Sequence, residues 1–430
     1  MTLGCEPMVR NLLTVALTMR VAAWLLLVLL SIGCTGVNAH QKLPEVELGE
    51  ASFYPTLEAY AGSPIVAGND VRILLNGEQI FPAVLEAIRS AKTSITYAQY
   101  FVDDGPVVDD VVAALAERCR AGVPGHVLLD GVGTISMSAR HTDQLKTAGC
   151  DVRTFRPLRP WALRRANNRN HRRILVVDGR VGITGGSGVS RKWMGNGLID
   201  DHWRDTDVRV EGPAVEWLQA AFVENWLETT KEALGGEAYF PRPKQSAGNV
   251  AAQIVRSSPG GGSFAMYSTI LLALNSARRS IRITNPYFLL DDAMRDAILS
   301  RLQRGVTVEV LVPGTIDHKL VRQASRATWG PLLQAGVKIY EYSPALLHSK
   351  TMVIDGRWTT VGSTNMDNRS FAMNEEVNLI VYDRQIGERF EEIFAADRRH
   401  SRQITYDEWR RRSLGARVFE LVVAPVRDFL

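Results

Sequence analysis

Apolar and polar residues alternate along this chain in two rhythms that take turns. Around 82–90 and 107–120, and again around 268–276 and 292–304, apolar residues recur every three to four positions, the spacing of one helix face. Gly122 and Gly305 follow the longer helix of each pair and mark its stop. Between the helices of each pair the rhythm changes to two. SITYAQYF at 94–101 and SIRITNPY at 280–287 alternate and are rich in β-branched and aromatic residues, which reads as strand. Apolar runs at 126–129 and 308–312 read as buried strands, and a helix and a short strand follow each. ILVVD at 174–178 and TMVID at 351–355 close the series. Strands alternating with helices predict an α/β layered fold.

The series occurs twice, and the copies share sequence. SAKTSI at 90–95 answers SARRSI at 276–281, and Ala148-Gly149 answers Ala335-Gly336, offsets of 186 and 187. The histidines that precede the closing strands, His171 and His348, are 177 apart, so the first copy holds about ten extra residues just before its histidine. The stretch 234–264, with Pro241, Pro243, Pro259 and three consecutive glycines, reads as the connection between copies. The tail beyond 385 reads as helical and Arg-rich, ending in an apolar strand-like run at 418–423. The chain therefore divides into an N-terminal segment at 1–39, a first lobe at 40–240 and a second lobe at 241–430.

The N-terminal segment changes the picture of where the protein works. Arg10 and Arg20 precede an apolar run at 21–33, short for a membrane span and right for the core of a signal peptide. Val37-Asn38-Ala39 puts small residues at cleavage offsets. Export is the expectation, with the chain cleaved before His40, anchored through the uncleaved segment from Asn11, or lipidated at Cys34. Cleavage leaves Cys119 and Cys150, either an exported disulfide or two separate buried thiols. The formal charge of +4 and pI near 8.9 suit an anionic surface or substrate, without choosing between lipid and nucleic acid.

Candidate chemistry gathers at the end of each copy. His171, Arg173 and Asp178 stand in NHRRILVVDGRVGITGGSG, and His348, Lys350 and Asp355 in HSKTMVIDGRWTTVGSTN. Alternation on a strand puts histidine and cation on one face. An imidazole there can attack phosphorus or donate a proton to a leaving alkoxide, and the cation neutralises charge on the non-bridging oxygens. Asn365 can donate its amide to the same oxygens. Glu376 is placed to orient a histidine. Aligning Val208 with Val377 sets Asp207 opposite Glu376, with Asp205 on the same face, so either aspartate can serve as the first copy's carboxylate. Asp355, a member of the signature, ends its strand before Gly356 and reads as a turn former more than as a catalyst. The chemistry calls for no metal and no cofactor.

These residues resemble the phospholipase D superfamily, and within it the bacterial cardiolipin synthases. The resemblance runs from about Ser90 to Tyr382 and includes NPYF at 285–288, LHSKTMVID at 347–355 and WRDTDVRVEGP at 203–213. It implies two pseudo-symmetric lobes, each a mixed β-sheet flanked by helices, with the active site at their interface. It implies a phosphatidyltransferase that forms cardiolipin and glycerol from phosphatidylglycerol through a phosphohistidine, with His171 as nucleophile and His348 as acid and base. Anionic phospholipid in a membrane surface is the implied partner, with no nucleic acid and no obligatory protein partner. Alternatives are a phospholipase D that passes the phosphatidyl group to water, a superfamily nuclease, and a non-catalytic anionic-lipid binder. The first copy departs from the pattern: Arg173 stands where Lys is typical, and Gly188 stands where the second copy has Asn365. The inserted residues are basic, with Arg156, Arg159, Arg164 and Arg165 around Trp161. That composition predicts a loop resting on anionic lipid beside the active-site mouth.

Overall fold

The structure, a computed structural model, describes residues 43–158, 167–199, 201–242, 244–317, 319–413, 417 and 420. The apolar run at 21–33, the cleavage offsets, Arg159, Trp161, Arg164, Arg165 and, of the run at 418–423, all but residue 420 lie outside the described residues.

Helix α1 (Phe53–Ala61) precedes the first half. That half runs β1 (Val66–Leu75), α2 (Asn76–Ser90), β2 (Ile95–Gln99), α3 (Pro106–Arg120), β3 (Gly125–Asp130), α4 (Ala139–Thr147), β4 (Asp151–Phe155), β5 (Ile174–Val177), β6 (Val181–Gly185), β7 (Thr206–Glu211) and α5 (Val215–Thr230). The second half runs β8 (Val250–Ser257), α6 (Ala265–Ser276), β9 (Ser280–Thr284), α7 (Asp292–Gln303), β10 (Thr307–Pro313), α8 (Lys319–Ala335), β11 (Lys338–Tyr342), β12 (Thr351–Ile354), β13 (Trp358–Gly362), α9 (Asn368–Ala372) and β14 (Glu376–Tyr382). It continues through α10 (Arg384–Arg399), β15 (Ser401–Ile404) and α11 (Tyr406–Arg410).

Among the described residues, fifteen strands form one continuous sheet. Its order is the same read outward in both directions from the β1–β8 seam. On one side lie β7, β6, β5, β2, β3 and β4; on the other lie β14, β13, β12, β9, β10 and β11, with β15 added at the edge. In each half the outer three copy strands are parallel and the inner ones antiparallel. The sheet is therefore mixed, and its two halves are pseudo-symmetric.

Two sequence expectations change. The stretch 234–264 is not all connection: its alternating residues form β8, which pairs antiparallel with β14 and β1 and so builds the seam. Residues 43–61, placed by sequence with the first lobe, pack on the second. Phe53, Leu57 and Ala61 join the core formed by Leu271, Ile281, Met294 and Ile298, and Leu48 N–H donates to Ser276 O at 3.2 Å. Helix α2 also starts six residues before Pro82. Proline inside it forfeits one backbone bond, while the earlier turn buries Ile80 and Phe81.

Another core cluster crosses the seam. Ile174, Val208, Val210, Phe222 and Trp226 from the first half pack in one cluster with Val353, Val361, Leu379 and Val381 from the second. At about 1.5–3 kcal/mol for each large apolar side chain buried, this cluster makes the halves one body. Cys119, at the end of α3, and Cys150, before β4, form a disulfide.

Candidate active site

The residues that lead into each signature strand, β5 and β12, run alongside a segment of the opposite half. There the backbone of each half hydrogen-bonds to the other. His171 N–H donates to Glu375 O at 3.0 Å, and His348 N–H donates to Arg204 O at 2.8 Å. Each histidine is thus tied to the residue just before a carboxylate of the opposite half.

The side chains follow the same crossing. His171 Nδ1 lies 2.9 and 3.1 Å from the two carboxylate oxygens of Glu376. His348 Nδ1 lies 2.7 Å from Asp205 Oδ2. Strand register explains the match. Gly185 pairs with Asp207 and Gly362 pairs with Asn378, so Asp205 is the counterpart of Glu376 and Asp207 that of Asn378. The alignment of Val208 with Val377 was therefore two residues out. Asp207 makes a different contact: it accepts from the N–H and hydroxyl of Ser187 at 3.1 and 2.5 Å. Asn378 does the same for Thr364, at 3.2 and 2.8 Å. Of the two candidate aspartates, Asp205 holds a histidine and Asp207 braces a turn.

The two cations occupy equivalent places. Lys350 Nζ donates to His348 O at 2.5 Å and lies 2.8 and 3.0 Å from the two ring nitrogens, so it stands over the ring rather than in its plane. Arg173 donates to His171 O at 2.7 Å and lies 3.3 Å from His171 Nε2. Tyr100 sits edge-on to His171 with 4.7 Å between centroids. Asn365 is buried, and its Oδ1 meets no donor among the described residues.

Burial sets the electrostatics. It lowers His171 well below the usual imidazole range, helped by Arg173 and Lys350. It lowers His348 to about 4, with Lys350 adding to the effect and Asp205 opposing it. It lowers Lys350 to about 7 and raises Glu376 to about 8, the latter opposed by the Ser363 hydroxyl. Burial would also raise Asp205, but His348, Lys350 and Trp193 hold it below the ordinary carboxylate range.

The signature aspartates are not in the site. Asp178 and Asp355 lie at the far ends of their strands, each with φ of 54° and each followed by a glycine of positive φ. These are Asp-Gly type I′ turns, which suit a right-twisted hairpin. The Asp178 carboxylate accepts from the N–H groups of Lys92, Thr93 and Ser94; the Asp355 carboxylate accepts from Arg278, Arg279 and Ser280. These are the residues of the SAKTSI and SARRSI repeats. The repeat and the signature aspartate lock each other in both halves, which corrects their place among the catalytic candidates.

Arg156 is corrected as well. Its guanidinium pairs with both oxygens of Glu228, at 2.7 and 2.9 Å, and with Glu375 at 3.3 Å. It is an internal brace, not a cation facing lipid. Sequence reasoning missed Ser363, Trp193 and Arg172. The Ser363 hydroxyl donates to Glu376 at 2.5 Å, and the Trp193 indole N–H donates to Asp205 at 2.8 Å. Ser363 lay beside the quoted Asn365. Nothing in spacing marked Trp193. A surface cleft of about 350 Å³ lies elsewhere, beside Gly179, Glu216 and Arg242, at the turn end of the sheet.

A family model described as "Cardiolipin synthase, PLD-like domain" matches residues 84–226 and 270–398, once over each half. A protein named cardiolipin synthase 1 from Bacillus anthracis is 33% identical over 386 residues, covering 87% of this chain and 76% of the relative. One named cardiolipin synthase A from Pseudomonas fluorescens is 34% identical over 400 residues, covering 90% and 83%. Among solved structures, the phosphatidylserine synthase of Haemophilus influenzae aligns with a TM-score of 0.67 over 87% of this chain and 98% of that one. At 13% identity that likeness concerns the fold.

Proposed function

We propose that this chain, which belongs to the cardiolipin synthase family of phospholipase D-like phosphatidyltransferases, forms cardiolipin and glycerol from two molecules of phosphatidylglycerol through a phosphohistidine. The crossed pairing carries the reading: each of two buried imidazoles is held at Nδ1 by a carboxylate from the other half. That contact orients the ring and leaves Nε2 for chemistry.

In the first step His171 Nε2 attacks phosphorus, and the bond from phosphorus to the glycerol headgroup oxygen breaks. His348 gives its proton to the departing alkoxide, so glycerol leaves neutral. In the second step the free primary hydroxyl of another phosphatidylglycerol gives its proton to His348 and attacks phosphorus. The N–P bond breaks, cardiolipin forms, and both histidines return to their starting states. Arg173 and Lys350 stand beside the two rings and neutralise the non-bridging oxygens, and the Asn365 amide adds a donor. An anionic phosphate there raises Lys350 from its low resting value and keeps it charged.

The proposed setting is outside the cytoplasm against an anionic membrane, on the strength of the N-terminal apolar run and of the basic composition around Arg159, Trp161, Arg164 and Arg165 in the sequence. No helix among the described residues is long and apolar enough to cross a membrane.

The test is incubation with phosphatidylglycerol vesicles in metal-free buffer, with lipids followed by mass spectrometry. Cardiolipin and glycerol, absent from H171A and H348A, is the expected result. Phosphatidic acid in place of cardiolipin would mean water is the acceptor, and vesicle binding without turnover would remove the enzymatic reading.

A further inference from the structure

Beside the exchange of Arg173 for Lys350, the two half-sites differ around one carboxylate. Register makes Gly186 the counterpart of Ser363 and Gly188 that of Asn365. In the second half a hydroxyl holds the carboxylate: Ser363 donates to Glu376 at 2.5 Å. In the first half no hydroxyl fits. A Cβ added at Gly186 would lie 2.3 Å from Asp205 Oδ1. Asp205 takes its donor from a different element, a short helical turn at Arg191–Trp193. The Trp193 indole N–H donates at 2.8 Å to Oδ2, the same oxygen that lies 2.7 Å from His348 Nδ1.

The same indole accounts for Gly188. A Cβ there would lie 2.9 and 3.0 Å from two carbons of the Trp193 ring. The ring fills the space into which an asparagine would project. Trp193 is 2% exposed, and its centroid stands 5.2 Å from the His348 ring at 84°. The missing amide and the tryptophan are thus one substitution seen at two positions.

We infer that Trp193 is a positioning residue for His348, acting through Asp205 in the role that the Ser363 hydroxyl plays for Glu376. An indole N–H is a donor only. It therefore favours the ionised carboxylate and fixes which oxygen faces Nδ1. A serine hydroxyl can rotate and accept instead. The first half gains a rigid acid–base pair and gives up a side-chain amide for the non-bridging oxygens. The inference rests on the transferase reading for its catalytic consequence, but not for its structural one.

The consequence can be read without any substrate. Removing the N–H leaves the Asp205 charge less stabilised. Its pull on a protonated His348 then grows, and the His348 titration moves to higher pH. W193F keeps an aromatic ring and deletes the donor. Benzothienylalanine at 193 keeps the bicyclic shape and deletes only the N–H, and serves if the phenylalanine variant folds poorly. Proton NMR of the His348 ring, assigned by its absence in H348Q, reports the titration directly. The expected result is an upward shift in either variant, with kcat for lipid transfer down on the order of tenfold, KM little changed, and the limb of the pH–rate profile governed by His348 moved the same way. An unmoved His348 titration overturns the inference whether or not activity falls. A shifted titration in a protein that proves inactive on phosphatidylglycerol upholds the positioning role and overturns only the choice of substrate.

Discussion

Glu376 and Asp205 occupy equivalent places but meet neutral pH in different states. Asp205 is held ionised and accepts from His348 Nδ1–H, which leaves Nε2 as the nitrogen that gives and takes the transferred proton. Glu376 is raised to about 8 by burial, so below that pH it retains its own proton. The lone pair on His171 Nε2 is available when Glu376 is ionised and accepts from Nδ1–H. The ionised fraction grows as pH rises through about 8. With His171 as nucleophile, kcat/KM is expected to climb toward that pH and level above it. Ser363 lowers Glu376 through its hydroxyl, so S363A is expected to move the limb to higher pH. A profile flat over roughly pH 6 to 9 in both proteins would give the attack to His348. Arg173 and Lys350 show how much of this scale a sequence carries. Both cations contact the carbonyl and the ring of their own histidine, so the residue types already announced the pair. Which carboxylate serves which histidine was not legible, because the partners are 205 and 143 positions apart in the chain.

At the scale of elements, the hairpins β5–β6 and β12–β13 are held by one device used twice. An aspartate in the left-handed region accepts three N–H groups from the start of β2 or β9. Substituting Asp355 by alanine leaves those donors unsatisfied and keeps a φ that suits glycine or asparagine better than alanine. D355A is expected to lose about 2–4 kcal/mol of stability in urea titrations, with D355N intermediate. The folded D355A protein should keep its turnover within about twofold, since Asp355 lies at the strand end away from His348. A large loss of kcat at unchanged stability would return Asp355 to the catalytic group. The two repeats at 90–95 and 276–281 were visible in the sequence, and so was the signature. That they bind each other was not, because the contact joins segments more than seventy residues apart.

The whole molecule is organised around its seam, and Arg172 crosses it. This fully buried guanidinium donates to Ala221 O and Asn225 within the first half and to Ser257 O and Glu376 O from the second, and it pairs with Glu375. Removing it takes one of two guanidinium partners from the buried Glu375 carboxylate and one donor from each of four acceptors. R172A is expected to cost about 3–5 kcal/mol and, before unfolding, to lower turnover by loosening the backbone that carries Glu376. Calorimetry beside a turnover assay checks both effects. A stable R172A with normal kcat would mean that the other contacts across the seam hold the halves in register without Arg172.

The sequence by itself determined the number of copies, the helix and strand series within each, and the two histidine–cation pairs. All of these are local: helical and strand periods are set by neighbours three, four or two residues away, and a repeat is seen by comparing letters. The tertiary structure decided what those letters could not. It matched each imidazole to a carboxylate of the other half, locked the signature aspartates to the repeats at 90–95 and 276–281, turned Arg156 inward, put residues 43–61 on the second half, and set Trp193 against Asp205 and Gly188. Each of those outcomes depends on strand register across the seam and on which side chain reaches a limited buried space first. Neither is a property of any stretch of chain taken alone.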